Sequence, residues 1–267
     1  MLLHRLYIED DAVREVKEFT APAGIEIYEV VRVMEGVPLF LEDHLKRFYH
    51  SAWLLHLEIP LGEGQIFQRL RDLIRVNGIE EGNIRFSWTF RPSGRFLAYF
   101  IPHKYPGEEE FRLGVACGLL KAERHAPNAK VVQAGLRAEA DRKIREEGWY
   151  EVLLISGKGL ITEGSRSNVF FIREGVLRTA PDGDILPGIT RQKVLQLIHG
   201  EGLRLEARSL TPEELESAEA AFLTGTSPGV LPICRVESLA LPVNHPCVNR
   251  LAGAYNGMIR DYIQNHR

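Results

Sequence analysis

The chain has little cysteine, and what it has is badly placed for structural work. Its 267 residues contain three cysteines, Cys117, Cys234 and Cys247, far apart and with no C-x-x-C pair. That argues against a disulfide framework and a zinc ribbon, and predicts a reducing, cytoplasmic setting. The nine histidines are dispersed, with no H-E-x-x-H or comparable ligand spacing, so no catalytic metal is expected. Neither a Gly-x-Ser-x-Gly elbow nor a Walker-type phosphate loop occurs. No run approaches the roughly 18 to 20 apolar residues of a membrane span. Met1-Leu2-Leu3-His4-Arg5 leads into acidic sequence rather than a secretory apolar stretch. The net charge of -3 offers no basic excess for nucleic acid or an anionic membrane. A soluble protein acting on small molecules is the expectation.

What is present suffices for a large core: 45% of the residues are hydrophobic, enough for one large domain or two smaller ones. Residues 28–34 and 37–41 are apolar-rich and flank Glu35-Gly36, predicting a hairpin. Leu45, Phe48, Ala52 and Leu55 recur at helical steps within 43–56, and a second helix is predicted over 63–75, closed by Asn77-Gly78. Strands are expected at 84–90, 96–101 and 111–119. Residues 120–128, with Pro127 and no clean period, read as a linker. The predicted organisation is a smaller α+β domain over 1–119, the linker 120–128, and a larger α/β domain over 129–267. In the latter, helices are expected at 136–147, 190–199, 212–217 and 249–265. Strands are expected at 150–155, 168–172, 175–179, 203–207, 221–223 and 236–241.

Chemistry concentrates in the second half. Lys130 has small or apolar neighbours, Ala129, Val131 and Val132, unlike most lysines here. Partial burial would lower its pKa and make its amine a nucleophile and base, whereas a lysine at a strand end ordinarily reaches solvent. Glu163 sits between Leu160-Ile161 and the apolar stretch from Val169, so its charge needs a partner, whether a cofactor's ring nitrogen or a surface bridge to Arg166 or Lys158. Pro187-Gly188-Ile189-Thr190 places amide donors at a helix start, which suits a phosphate; Thr190 as an ordinary cap is the alternative. Thr224-Gly225-Thr226-Ser227-Pro228-Gly229 offers three hydroxyls for a phosphate cup, or a plain polar turn. One amine, one acid and two hydroxyl-rich turns are the parts that hold pyridoxal 5′-phosphate (PLP): an amine for its aldehyde, a carboxylate for its ring nitrogen and donors for its phosphate.

With those residues assembled, the chain resembles the class IV aminotransferases, the PLP enzymes of fold type IV. That group includes D-amino acid aminotransferases, branched-chain aminotransferases and aminodeoxychorismate lyase. The resemblance runs from about Tyr28 onward and is carried by Glu163-Gly164-Ser165-Arg166-Ser167-Asn168-Val169-Phe170, spaced between Lys130 and Gly188-Ile189-Thr190-Arg191. It implies a two-domain α/β (α+β) fold of the D-amino acid aminotransferase type, with PLP between the domains, and a homodimer. It implies that Lys130 binds the cofactor and moves the proton between the substrate Cα and C4′. Glu163 is implied to hold the pyridine nitrogen and Leu186 to pack on the ring. Arg47, within Asp43-His44-Leu45-Lys46-Arg47-Phe48, is implied as a phosphate ligand with Ile189, Thr190 and Thr226. Tyr28 borders the substrate, and Arg91 and Arg95 are the candidates for its carboxylate, or else exposed hairpin arginines.

The resemblance has departures. Residues 19–26 lack the family's usual Asp-Arg-Gly and Gly-Asp-Gly stretch. Gly135 stands where branched-chain enzymes carry a tyrosine, which argues against a standard branched-chain enzyme. The implied activity is transfer of an amino group from an amino donor to a 2-oxo acid. Two alternatives are C–N bond cleavage releasing pyruvate, as in aminodeoxychorismate lyase, and a PLP-binding protein without catalysis.

Overall fold

The computed structural model describes residues 2–90 and 94–267. The chain forms two compact units: one comprises the residues up to Lys104, Ala129–Val132 and Ile259–Arg267, the other Tyr105–Asn128 and Gln133–Met258.

The first unit contains β1 (Leu6–Glu9), β2 (Ala12–Glu15), β3 (Glu26–Met34), β4 (Val37–Pro38), α1 (Leu41–Leu54), α2 (Glu63–Asn77), β5 (Gly82–Thr89) and β6 (Arg95–Ile101). Its strands form an antiparallel sheet in the order β2-β1-β6-β5-β3-β4. β3 turns into β4 over Glu35 and Gly36 at φ 51° and 76°, the left-handed pair that a two-residue hairpin needs. Strand alternation sorts the side chains by face. Ile27, Val31, Ile84, Phe86 and Phe100 bury against Leu45 and Phe48 of α1 and Ile66 and Leu70 of α2. Each such side chain contributes about 1.5–3 kcal/mol. The face opposite is polar, with Glu26, Tyr28, Arg85, Ser87 and Thr89 in adjacent register positions of β3 and β5.

The second unit contains α3 (Glu108–Leu113), β7 (Val115–Lys121), α4 (Ala134–Glu147), β8 (Glu151–Ile155), β9 (Ile161–Gly164), β10 (Asn168–Arg173) and β11 (Val176–Thr179), then α5 (Ile189–Gly200), β12 (Leu205–Ala207), β13 (Ala220–Gly225), β14 (Gly229–Val236), β15 (Leu239–Ala240) and most of α6 (Pro246–His266). Its mixed sheet runs β12-β11-β10-β13-β14-β7-β8-β9, with β15 beside β14. β7 and β8 are parallel, which requires a crossover, and α4 lies in that connection. Phe171, Val169, Leu223, Leu231 and Leu153 form its core.

The observed elements depart from expectation in three places. Residues 111–119 divide into the end of α3 and the start of β7, with Gly114 at φ 72° between them. The strand expected at 236–241 is the end of β14 followed by β15. The units divide after Lys104, not after residue 119, because Val115–Lys121 pairs with β8 and β14 of the second sheet. No helix among the described residues is long and apolar enough to cross a membrane.

Candidate active site

In the first unit Lys130 is fixed through its backbone. Its carbonyl accepts from the Tyr28 amide at 3.1 Å and its amide donates to Ser51 Oγ at 3.0 Å. Val131 bridges to Ile27 of β3. The tetrapeptide thus extends the sheet edge while α1 holds it from the other side. Lys130 Nζ stands 5.2 Å from the centre of the Tyr28 ring, and the Arg85 guanidinium lies 3.9 Å from the same centre. Two cations thus lie near one tyrosine ring.

Beneath α1 a buried ionic cluster fixes Arg47. Its Nε and Nη2 donate to Glu29 Oε1 and Oε2 at 2.8 and 2.6 Å, and His44 Nδ1 lies 2.7 Å from Glu29 Oε2. Burial alone would push the Glu29 carboxyl up; the Arg47 guanidinium and His44 overcome it and bring it to about 2. Burial lowers His44, which is therefore neutral and donates its Nδ1 proton to the ionised Glu29. Two of the five guanidinium donors of Arg47 are thus committed to Glu29.

In the second unit Glu163, 2% exposed, is the penultimate residue of β9. Arg124 Nε donates to its Oε1 at 2.8 Å, and Arg124 Nη2 donates to Ser165 O at 2.8 Å. The expected alternative partner, Arg166, pairs with Asp141. The Leu186 amide lies 3.4 Å from both Glu163 oxygens, and Asn168 Nδ2 lies 3.4 Å from Oε2. Asn168 also donates to Leu186 O at 2.9 Å and accepts from the Gly188 amide at 3.2 Å. It ties β10 to the start of α5. A Cβ on Gly188 would run into Asn168 Oδ1, so the close approach demands glycine.

The N-cap of α5 is Gly188 with no side-chain cap; Thr190 is inside the helix, its hydroxyl 3.3 Å from Tyr255 OH. Thr226 lies in the turn between β13 and β14, and the neighbouring Thr224 Oγ1 is buried without a hydrogen-bond partner. Arg95 is paired with Glu9 at 2.6 Å and donates to Thr20 O at 2.9 Å. Arg91 lies outside the described residues.

The residues singled out from sequence therefore divide between the units. Lys130, Tyr28, Arg47 and Arg95 belong to the first, and Glu163, Leu186, Ile189, Thr190 and Thr226 to the second. Sequence reasoning passed over Arg124, which it assigned to the linker, and Arg85. Glu29 was noticed only as the neighbour of Tyr28. The available signal for Arg85 was strand alternation, which puts it on the same face as Tyr28.

The two-sheet α/β fold thus carries a backbone-fixed lysine in one unit and a buried glutamate near an uncapped helix start in the other. The model of the class IV amino-transferase family matches residues 26–236, and the chain belongs to that family. A D-alanine aminotransferase of Bacillus licheniformis is 28% identical over 255 residues, covering 91% of this chain and 89% of that protein. A branched-chain-amino-acid aminotransferase of Pseudomonas aeruginosa is 28% identical over 279 residues, covering 96% and 91%. Among solved structures, a T.th. branched-chain amino acid aminotransferase with pyridoxamine 5′-phosphate superposes with a TM-score of 0.85 at 24% identity, covering 97% of this chain and 95% of that one. This chain is a class IV aminotransferase with the fold of those enzymes.

The residues present suit a phosphorylated pyridine by their donor chemistry. An uncapped helix start accepts an anion. The orphaned Thr224 hydroxyl signals a polar partner beyond those described. Glu163 is a buried carboxylate held by Arg124, the chemical type that suits a protonated ring nitrogen.

Proposed function

We propose that this chain uses PLP, held by Lys130, to move an amino group between an amino acid and a 2-oxo acid, with D-amino acid aminotransferase-like chemistry. The observation that carries the reading is the fixation of Lys130 from two sides, which holds its amine beside the Tyr28 ring. PLP, when bound, supplies an aldehyde and a ring that stabilises negative charge at the substrate Cα. Lys130 carries the amine for that aldehyde and moves the proton at Cα. Glu163 presents its carboxylate to the ring nitrogen, and Leu186 bounds the ring. The amides of Ile189 and Thr190, the Thr226 hydroxyl and the Arg47 guanidinium receive the phosphate.

For the substrate carboxylate, Arg85 joins Arg91 and Arg95 as a candidate because it lies against Tyr28, although Arg85 is paired with Glu26 at 2.9 Å as Arg95 is with Glu9 at 2.6 Å. The lysine–arginine pair around one tyrosine suits a donor bearing a carboxylate more than a simple amine. The relatives act on D-alanine and on branched-chain amino acids; we place this chain nearer the former because Gly135 replaces the tyrosine of the latter. We further propose that it works in the cytoplasm as a homodimer, which sedimentation velocity checks.

The test is a visible spectrum of the purified protein loaded with PLP, before and after separate addition of D-alanine, L-leucine, L-glutamate and an (R)-amine. Loss of the visible band with one donor, and no lysine-bound band in Lys130→Ala, is the expected result. A wild-type band in Lys130→Ala sinks the lysine assignment. Pyruvate released from aminodeoxychorismate without an amino acceptor replaces transfer by C–N cleavage, and a band that no donor moves replaces it by cofactor binding alone.

A further inference from the structure

Glu151, the first residue of β8, is 3% exposed and accepts five hydrogen bonds. Its Oε1 receives the Ser165 amide at 3.2 Å, Ser165 Oγ at 2.7 Å and the Val152 amide at 2.9 Å. Its Oε2 receives the Arg166 amide at 3.0 Å and Ser167 Oγ at 2.9 Å. A carboxylate has about four lone-pair sites, so this one is saturated. Consecutive amides converging on one anion form a nest, here filled by a side chain of the same unit.

The segment thus held is the connection from β9 to β10, residues 165–167, separated from Glu163 by Gly164 alone. Ser165 is gripped at both ends, its amide shared between Glu151 Oε1 at 3.2 Å and Val152 O at 3.0 Å and its carbonyl accepting from Arg124 at 2.8 Å. A Cβ on Gly164 would stand 3.0 Å from Glu151 Oε2 and collide with Ser167 Oγ, so the carboxylate occupies the space that a side chain would need. Burying an ionised group is costly unless donors surround it, and a surface turn needs no such group. What a saturated, buried carboxylate adds is a turn with one conformation.

We propose that Glu151 is a positioning residue for Glu163. By fixing the Glu163–Asn168 turn it sets the direction of the Glu163 carboxylate, an inference that rests on the role proposed for Glu163 above. Glu151 itself touches neither substrate nor cofactor.

The test compares wild-type protein with Glu151→Gln and Glu151→Asp. In cofactor-free Glu151→Gln, hydrogen exchange at the Arg166 amide should accelerate roughly tenfold to a hundredfold, the worth of a hydrogen bond to a charged group, while β10 and β13 amides keep their protection. PLP titration should give a Kd raised by about tenfold, and kcat should fall with the KM for the amino donor within about twofold. Glu151→Asp keeps the charge and should recover part of both. If Glu151→Gln does not fold, Ser165→Ala, which deletes one donor, should show the same changes in smaller measure. Unchanged exchange at Arg166, or an unchanged PLP Kd, in a folded variant overturns the proposal while wild-type PLP binding leaves the function intact. Wild-type protein that takes up no PLP overturns the proposed function instead, and with it the purpose assigned to Glu151.

Discussion

Glu29 has no exposed surface and yet remains ionised, because Arg47 and His44 close on both of its oxygens. Its folded-state value of about 2 lies below the ordinary 4.5. The cluster therefore contributes stability that is fully present above about pH 4.5 and is lost as pH falls toward about 2. His44, held below its ordinary 6.5 by burial, adds a loss of the same sign that begins at higher pH. Glu29→Gln leaves the buried Arg47 without its counter-charge and should cost about 3–5 kcal/mol at neutral pH. In melting curves taken across the acid range, the gap between wild type and Glu29→Gln should narrow as the pH drops from about 4.5 to about 2. A gap that stays constant would show that the cluster is not the titrating element. At this scale the sequence was uneven evidence. Glu163 announced its need for a partner by its apolar surroundings, but the partner, Arg124, is 39 positions away and sits in a stretch with no periodicity. Glu151 was legible in principle as the lone charge of a buried five-residue strand.

Elements were easier to read where periodicity is long. The apolar spacing of α1 and α2 and the Glu35-Gly36 turn foretold their positions within a few residues, because one buried face imposes its period on the sequence. α3 escaped notice because six residues span fewer than two turns; its marks are local, three acids in the first turn and the Gly107 amide bound to Glu110 at 2.8 Å. β14 escaped because Pro232 argues against a central strand. Its register explains the exception: Pro232 faces Phe222 of β13, while pairing with β7 begins only at Ile233. The junction of β10 with α5 is tighter than any sequence pattern discloses. Gly188→Ala should displace Asn168 and cost about 1–3 kcal/mol, with weaker PLP binding. Gly200→Ala, at the far end of the same helix with nothing within 4 Å of the added carbon, should be neutral or slightly stabilising. Thermal melts of the two variants check the contrast, and equal losses would count against it.

At the scale of the whole chain, each unit is assembled from segments distant in sequence. The first unit is completed by the last turns of α6, where the Tyr262 ring packs at a tilt against Phe40 with centroids 4.8 Å apart and its hydroxyl donates to Glu42 at 2.8 Å and accepts from the Leu41 amide at 3.3 Å. Tyr262→Ala should therefore destabilise the protein by about 2–4 kcal/mol despite lying five residues from the end of the chain, with Tm as the readout. A tyrosine near a terminus gives no sign in the sequence of such a role, since nothing local records a partner more than two hundred positions away.

The four residues Ala129–Val132 belong to the first unit although the chain on either side belongs to the second. Recombination between two members of the family at any point from residue 105 to 128 would pair the Tyr28 of one parent with the Lys130 of the other, across the backbone hydrogen bond that joins them. The lysine and the sheet edge that holds it are thus inherited separately in such a crossover, and that chimera can work only if both parents build the edge alike.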